Sequence, residues 1–248
     1  MTELADRLVN AIRTRTALDP GASGLTLEAA YQVQDEVIAA LGGRVEAAKL
    51  GLTSRAKQVQ MKVDEPSYGW LLEGARLQPG ALLNTGELIQ PRVEPEIAFL
   101  TGQDLAGTSV TATHVLGATR AVMVAIDVLD SRYAGYNFTL PDVIADNASA
   151  ARFAVGDPMP LDGINLRTVG CVFSKNGEVV ATAAGAAVLD HPAGALAWFV
   201  RRLASRGQSL PSGSLVLAGA LTAAVPVSPG DVVTVEIDRI GAVTLGVA

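Results

Sequence analysis

Apolar side chains recur at helical spacing along the first forty residues. They are four residues apart from Leu4 to Ile12, which predicts an amphipathic first helix. A second helix is predicted from Thr26, whose hydroxyl is a favoured N-cap, to Gly42, which ends it. The expected buried stripe of this second helix consists of Ala30, Val33, Val37 and Leu41. We expect the two helices to form a layer at the N-terminus.

A short apolar segment at residues 47–54 is interrupted by Lys49 and Gly51. Burying a lysine is costly unless it is paired, so the alternative is an edge lysine whose ammonium reaches water. The apolar neighbours on both sides favour the buried interpretation. A third helix is predicted to begin at Thr53 or Ser54 and to run through Met61, followed by a turn-rich loop at 64–69.

From residue 81 onward, short apolar runs separated by Gly, Pro and Asn predict strands. Asn176-Gly177 predicts a hairpin turn within 168–183, because this dipeptide suits the tight turns between paired strands. A strand at 121–129 is apolar on both faces except at Asp127. The remaining predictions are a short helix at 111–120, a polar loop at 138–152, a helix from Pro192 to near Gly207, and strands at 214–218, 231–237 and 242–247.

Helices followed by many short strands indicate an α+β fold with a mixed or antiparallel sheet. The length of 248 residues fits a single domain spanning 1–248, with a mainly helical layer at 1–70 and a β-rich core at 71–248. Hydrophobic residues make up 49% of the chain and charged residues 18%, which is enough apolar material for a sizeable core.

Net charge and the lack of targeting signals argue against nucleic-acid binding, secretion and membrane insertion. The net charge of −6 makes nucleic acid an unfavourable partner. The N-terminus has no secretory signal pattern, and no apolar run is long enough to span a membrane, so we expect a cytoplasmic protein. Cys171 is the only cysteine, and its apolar surroundings favour a small buried side chain.

Glu94 and Glu96 stand two residues apart at the start of an apolar run. In an extended segment their side chains share one face. Two such carboxylates repel each other unless a cation or a proton lies between them, and hard oxygen ligands suit Mg²⁺ or Mn²⁺. Two solvated glutamates on an edge strand are the alternative. Asp127 also needs a partner, for which Arg132 or a backbone turn is a candidate.

Five motifs in order carry a resemblance to a known family. They are Lys49-Leu-Gly-Leu-Thr-Ser, Glu65-Pro-Ser-Tyr-Gly-Trp, Val93-Glu-Pro-Glu-Ile-Ala, Asp127-Val-Leu-Asp-Ser-Arg132 and Ala145-Asp-Asn-Ala-Ser149. Together they resemble the fumarylacetoacetate hydrolase superfamily, in its branch of 2-hydroxypentadienoate hydratases and 4-oxalocrotonate decarboxylases. The resemblance covers nearly the whole chain and implies the rolled mixed sheet of that family.

The resemblance also implies roles for individual residues. It makes Glu94, Glu96 and Asp127 the ligands of Mg²⁺ or Mn²⁺, and Lys49 the active-site lysine. The third ligand is commonly Glu in this branch, so the aspartate is a departure. Residues implied to line the substrate pocket are Ser149 and Thr222. The cationic candidates for a distal substrate carboxylate are Lys49, Arg132 and Arg152. Two alternatives stay open: Lys49 could donate a proton instead, and either arginine could pair with a carboxylate of the protein.

Position 67 separates the two activities of the branch. Relatives that are hydratases carry Asp before the aromatic-Gly pair, whereas this chain has Ser67. The run at 131–153 and the run at 51–61 resemble the decarboxylases. The resemblance therefore implies decarboxylation of 2-oxohex-3-enedioate in aromatic meta-cleavage catabolism.

Three other activities stay open at this point. One is hydration of 2-hydroxypenta-2,4-dienoate, and another is C–C bond hydrolysis, which Asp127 suggests. The third is a weakly catalytic subunit that binds and stabilises a partner hydratase. A homo-oligomer is expected in each case. The histidines, His114 and His191, have no spacing that fits a catalytic triad.

Overall fold

The computed structural model describes residues 1–55, 58–59, 63 and 65–248. The helices in these ranges are α1 Glu3–Thr14, α2 Leu27–Leu41, α3 Ala112–Ala118, α4 Leu140–Ala145 and α5 Pro192–Ser205. The strands are β1 Val45–Gly51, β2 Ser67–Leu72, β3 Leu82–Leu83, β4 Arg92–Thr101, β5 Thr119–Leu129, β6 Ala150–Val155, β7 Gly170–Lys175, β8 Glu178–Ala184, β9 Leu215–Ala220, β10 Val225–Pro226, β11 Val232–Ile237 and β12 Gly241–Val247. The third helix, predicted from Thr53 or Ser54 through Met61, lies partly outside the described residues.

The predicted N-terminal helices are confirmed, and their ends have the expected physical causes. Thr2 and Thr26 cap α1 and α2, since each hydroxyl accepts a hydrogen bond from a backbone N–H three residues later. Gly42 follows α2 with φ of 71°, a conformation that glycine adopts without strain. The apolar face of α2 is buried at Ala30, Val33 and Val37.

Two mixed sheets form the β-rich part of the molecule. The larger has the order β2-β1-β9-β4-β5-β6, with β10 paired to β4, and the smaller has the order β3-β12-β11-β7-β8. β1 runs parallel to β9 and β12 parallel to β3, while the other pairs are antiparallel. Apolar side chains from both sheets and the helices pack into one main core, which includes Phe99, Ile126, Phe173 and Phe199.

The larger sheet is curled, because Lys49 on β1 contacts Asp127 on β5 although β9 and β4 lie between these strands. A second, smaller apolar cluster lies on the face of the sheet that also carries Lys49. Its buried members are Ala47, Leu71, Ala75, Ala98, Met123, Ala125, Phe153, Leu215 and Leu217. Side chains at alternate positions of neighbouring strands therefore point into the inside of the curl.

The predictions of two loops are wrong in part. Residues 67–69 belong to strand β2, which forms because it pairs with β1 and buries Tyr68. The predicted loop at 138–152 contains α4 and the start of β6. The Asp142 carboxylate starts α4 by accepting hydrogen bonds from the backbone N–H and the hydroxyl of Thr139.

The N-terminal part contains more strand than predicted, since β1 and part of β2 fall within residues 1–70. These strands extend the larger sheet, so residues 1–70 contribute both to the helical layer and to the sheet. The assignment of 1–248 to a single domain remains a prediction. Within the described ranges, every helix is too short or too polar to cross a membrane.

Candidate active site and metal centre

Three buried carboxylates meet on the inside of the curled sheet. Glu94 on β4 lies directly opposite Asp127 on β5, and Glu96 follows two residues later on the same face. One oxygen from each carboxylate lies within 4.8 Å of the others. The alternation of β4 and its register with β5 thus bring together the three residues implied as ligands.

Lys49 completes this cluster from the other side of the curl. Its Nζ lies 2.5 Å from Oδ2 of Asp127 and donates a hydrogen bond to the backbone carbonyl of Ala148 at 3.1 Å. The residue is only 2% exposed, which confirms the buried interpretation of the lysine. A buried lysine needs such partners because an isolated ammonium is strongly disfavoured in an apolar interior.

The charges in the cluster fit a divalent cation. Among the described residues, the three carboxylates of Glu94, Glu96 and Asp127 gather around the ammonium of Lys49 in a buried place. Glu96 accepts a hydrogen bond from Gly219 N through one oxygen at 2.6 Å, whereas its buried Oε1 has no hydrogen-bond partner among the described residues. Burial, followed by repulsion from Asp127, raises the pKa of Glu96 well above its usual range. A bound Mg²⁺ would attract all three carboxylates and give Oε1 of Glu96 a partner.

A left-handed turn forms the wall opposite the carboxylates. Asn147, Ala148 and Ser149 all have φ between 51° and 54°, which is uncommon for residues other than glycine. The Asn147 side chain holds the turn in place, because it accepts a hydrogen bond from Trp70 N at 2.7 Å and donates one to Trp70 O at 2.8 Å. This arrangement presents the Ala148 carbonyl to Lys49.

The carboxylate cluster opens onto a cavity of about 360 Å³. Its described lining residues combine charged and hydroxyl groups near the cluster with apolar and aromatic groups farther away. They are Lys49, Gly51, Leu52, Ser67, Arg92, Glu94, Leu129, Gly135, Tyr136, Phe138, Val143, Ala148, Ser149, Ala223 and Ala224. Such a volume suits a small organic acid.

Arg132 was predicted to bind substrate, but the structure places its side chain in contacts within the protein. It is buried in an ion pair with Asp146, and its guanidinium also donates to the carbonyls of Asp130 and Ala150 at 2.5 and 3.1 Å. Burial raises the pKa of Asp146 to about 6, an effect that the charge of Arg132 opposes. The guanidinium is thus engaged in holding the left-handed turn, and Arg132 is not among the described residues that line the cavity.

Arg152 and Thr222 also lie away from the cavity lining among the described residues. Arg152 pairs with Glu87 at 3.2 Å near the surface and borders another cavity. Thr222 precedes Ala223 and Ala224, which do line the cavity, and its hydroxyl donates to the Ala223 carbonyl. Ser149 lines the cavity as predicted and donates a hydrogen bond to Asp146 at 3.2 Å.

Arg92 and Tyr136 line the cavity but were not among the predicted site residues. The sequence carried a signal for Arg92, since it stands two residues before Glu94 and shares its face in an extended strand. Tyr136 had no such signal. It reaches the cavity through a short helical turn at Ala134–Tyr136 that only the folded chain positions.

We expect Glu96→Gln to weaken Mg²⁺ binding by on the order of 100-fold, the upper end of the effect of changing a residue that supports a metal ligand. The amide keeps the side chain's size but removes a charged ligand. Isothermal titration with Mg²⁺ measures the effect, and Glu236→Gln on the exposed part of β11 is the matched control. Unchanged Mg²⁺ affinity in Glu96→Gln would remove this residue from the metal site.

Comparison with known proteins places this site among enzymes of aromatic catabolism. A family model described as fumarylacetoacetate (FAA) hydrolase C-terminal matches residues 40–248. The chain is 45% identical to 4-oxalocrotonate decarboxylase of Pseudomonas sp. (strain CF600), over 86% of this chain and 82% of the relative. It is 40% identical to 2-keto-4-pentenoate hydratase of Paraburkholderia xenovorans (strain LB400), over 82% of this chain and 76% of the relative.

One solved structure is similar to this chain over almost the whole length of both proteins. This is 4-oxalocrotonate decarboxylase from Pseudomonas putida G7, complexed with magnesium and adipate. It matches with a TM-score of 0.94 at 38% identity, over 99% of this chain and 96% of that one. The α+β fold with a rolled, mixed sheet predicted from the sequence is confirmed.

Proposed function

The chain belongs to the fumarylacetoacetate hydrolase family, and we propose that it is a 4-oxalocrotonate decarboxylase. The reaction converts 2-oxohex-3-enedioate to 2-hydroxypenta-2,4-dienoate and CO₂. The observation that carries this proposal is the near full-length likeness to a decarboxylase complexed with magnesium and a six-carbon dicarboxylate. The buried carboxylates and Lys49 beside a cavity of suitable size support it.

Glu94, Glu96 and Asp127 would hold Mg²⁺, or Mn²⁺ in its place, at the closed end of the cavity. When bound, the ion acts as a Lewis acid toward negative charge that develops on a substrate oxygen. The chain supplies this position in advance, because the register of β4 and β5 fixes the three ligands before substrate arrives. The Asp at the third ligand position of this chain supplies a carboxylate directly opposite Glu94.

The chemical step breaks the bond between C5 and C6 of the substrate. Its electron pair forms the C4–C5 double bond, the C3–C4 pair moves to C2–C3, and the carbonyl pair moves to the 2-oxo oxygen. That oxygen then takes a proton to give the 2-hydroxydiene. The C6 carboxylate leaves as CO₂, so the dianionic substrate and one proton give the monoanionic 2-hydroxydiene and CO₂. The donor of that proton regains one from water.

Lys49 is the proposed proton donor to the 2-oxo oxygen. Its ammonium lies beside Asp127, so it is at the ligand end of the cavity, where this oxygen gains its charge. The Ala148 carbonyl and Asp127 orient Nζ from two directions. Such positioning matters because proton transfer is efficient only at hydrogen-bond distance. This location argues against Lys49 as the anchor of the departing carboxylate.

Ser149 is proposed to contribute directly to substrate binding near the metal, and Thr222 to support the neighbouring part of the cavity wall. Ser149 lines the cavity, and its neighbour Ala148 already orients Lys49. Thr222 lies one residue before the Ala223–Ala224 part of the wall. A C–C hydrolase needs an activated water, and both histidines lie elsewhere: His114 caps α3 and His191 caps α5.

Hydratases are among the relatives, and we propose that a homo-oligomer and a complex with a hydratase are the assemblies this chain forms. The chemistry supports such a complex, since the proposed product, 2-hydroxypenta-2,4-dienoate, is the substrate named for hydration in this branch. Copurification of the two proteins after coexpression tests the association. Elution of each as a separate species would contradict it.

The experiment that tests the proposed function compares decarboxylation with hydration. Ser67 is buried, lines the cavity and places a hydroxyl where hydratases of the branch carry a carboxylate. We therefore expect the Mg²⁺-loaded protein to release CO₂ from 2-oxohex-3-enedioate much faster than it hydrates 2-hydroxypenta-2,4-dienoate. Headspace CO₂ and loss of the diene absorbance measure the two rates.

Each outcome of this comparison has a definite meaning. Hydration as fast as decarboxylation would assign the chain to the hydratases. Release of no CO₂ by folded, Mg²⁺-loaded protein would refute the decarboxylase assignment and favour a subunit that stabilises a partner hydratase.

A further inference from the structure

We propose that Arg92 binds the substrate carboxylate farthest from the metal and thereby makes the site selective for dicarboxylates. The inference rests on the proposed function, because the proposed substrate carries a carboxylate at each end. One end would lie at Glu94, Glu96 and Asp127. The other needs a cation elsewhere in the cavity.

Arg92 is in the right place on strand β4. It lies two residues before Glu94, so both side chains leave the same face of the strand, with their Cα atoms about 7 Å apart at the usual rise per residue. Both residues line the cavity. Arg92 therefore extends the line of functional side chains from the carboxylates toward the open end of the site.

The Arg92 guanidinium is positioned by an aromatic ring and keeps its N–H donors available for a ligand. It stacks on the ring of Tyr136, 4.1 Å from the ring centre. The Tyr136 hydroxyl donates to the carbonyls of Gln90 and Leu129, each at 3.1 Å, which fixes the ring. Within the described ranges, no hydrogen bond or ion pair engages the Arg92 guanidinium. A stacked guanidinium with its edge unused is suited to bind a carboxylate through two hydrogen bonds.

The other described cations that were candidates for this role are already engaged. Lys49 is paired with Asp127 at the ligand end. Arg132 is buried against Asp146, and Arg152 pairs with Glu87 beside a different cavity. Among the described lining residues, Arg92 is the cation that remains for the distal carboxylate.

A pair of ligands that differ only at the distal end tests this role. 2-Oxohexanedioate and 2-oxohexanoate share the 2-oxo acid group and the chain length, but only the first has a second carboxylate. Titration calorimetry of the Mg²⁺-loaded wild type should show about 10- to 100-fold tighter binding of the dicarboxylate, the usual range for hydrogen bonds to charged groups. In Arg92→Gln the two affinities should become nearly equal, with little change for 2-oxohexanoate.

Two further variants guard against indirect effects. Arg120→Gln removes an exposed arginine from neighbouring strand β5 and should keep the wild-type ratio of affinities. Arg92→Lys keeps a cation but loses the planar pair of donors, so its ratio should fall between wild type and Arg92→Gln. If Arg92→Gln does not fold, as judged by circular dichroism, the ratio in Arg92→Lys decides the question.

The outcomes separate this proposal from the proposed function. A wild-type ratio near unity, or a wild-type ratio retained in folded Arg92→Gln or Arg92→Lys, would overturn the role of Arg92. A dicarboxylate preference that Arg92→Gln loses would support it, even if the wild type released no CO₂ from 2-oxohex-3-enedioate. In that case the decarboxylase assignment alone would fail.

Discussion

Replacing Lys49 by Met is expected to lower turnover of 2-oxohex-3-enedioate by about 10²–10⁴-fold, the usual contribution of a positioned proton donor. Met retains much of the lysine stem, so the packing inside the curled sheet should survive. The variant removes the ammonium that lies 2.5 Å from Asp127. Mg²⁺ binding should stay equal or become tighter, because one repelling positive charge is lost beside the ligands.

Steady-state kinetics with saturating Mg²⁺ measure this effect, and calorimetry with Mg²⁺ shows that the site is loaded. Lys175→Met is the matched control, because Lys175 also pairs with an aspartate, Asp231 at 2.8 Å, but on the smaller sheet. The control should keep wild-type turnover. A folded, Mg²⁺-loaded Lys49→Met protein with wild-type turnover would leave the proposed mechanism without its proton donor.

Replacing Arg132 by Met should destabilise the protein by about 3–5 kcal/mol, the usual cost of removing one partner from a buried ion pair. Asp146 would stay behind in an apolar interior, where burial already raises its pKa to about 6. The carbonyls of Asp130 and Ala150 would lose donors as well. Urea unfolding followed by circular dichroism gives the free energy of unfolding.

The stability loss should shrink at low pH. The folded-state pKa of Asp146 is raised, so its protonated form is the one favoured by burial, and an uncharged Asp146 no longer needs Arg132. The difference between wild type and Arg132→Met should therefore be largest above pH 6 and smaller below it. Arg152→Met is the control, because its partly exposed pair with Glu87 should contribute only about 0–1 kcal/mol. Equal losses in the two variants would contradict a structural role for Arg132.

Local pattern was enough to place most of the secondary structure. The spacing from Leu4 to Ile12, the cap at Thr26 and the turn at Asn176 are signals within a few residues, and the structure confirms each. The two failures involved segments whose structure depends on distant partners. β2 forms against β1, and α4 packs on α2.

The site residues also fall into those that local sequence indicated and those that it did not. The pairing of Glu94 with Glu96 on one face follows from strand alternation alone, so the sequence by itself pointed to a cation. The ordered motifs added Asp127 and Lys49 through resemblance. They could not distinguish an arginine that lines the cavity from arginines that hold the fold, because both kinds stand in polar, charged stretches.

The sequence by itself determined the α+β class, the helix ends, the two glutamates that share a face and the family resemblance. Only the tertiary structure decided that Lys49 reaches Asp127 across the curl, that Arg132 is engaged by Asp146, and that Arg92 stands in the cavity. The physical reason is how far apart in sequence the interacting residues lie. Strand alternation and helix capping act between neighbours in the chain, whereas an ion pair is set by strand order and sheet curvature, which bring together residues far apart in sequence.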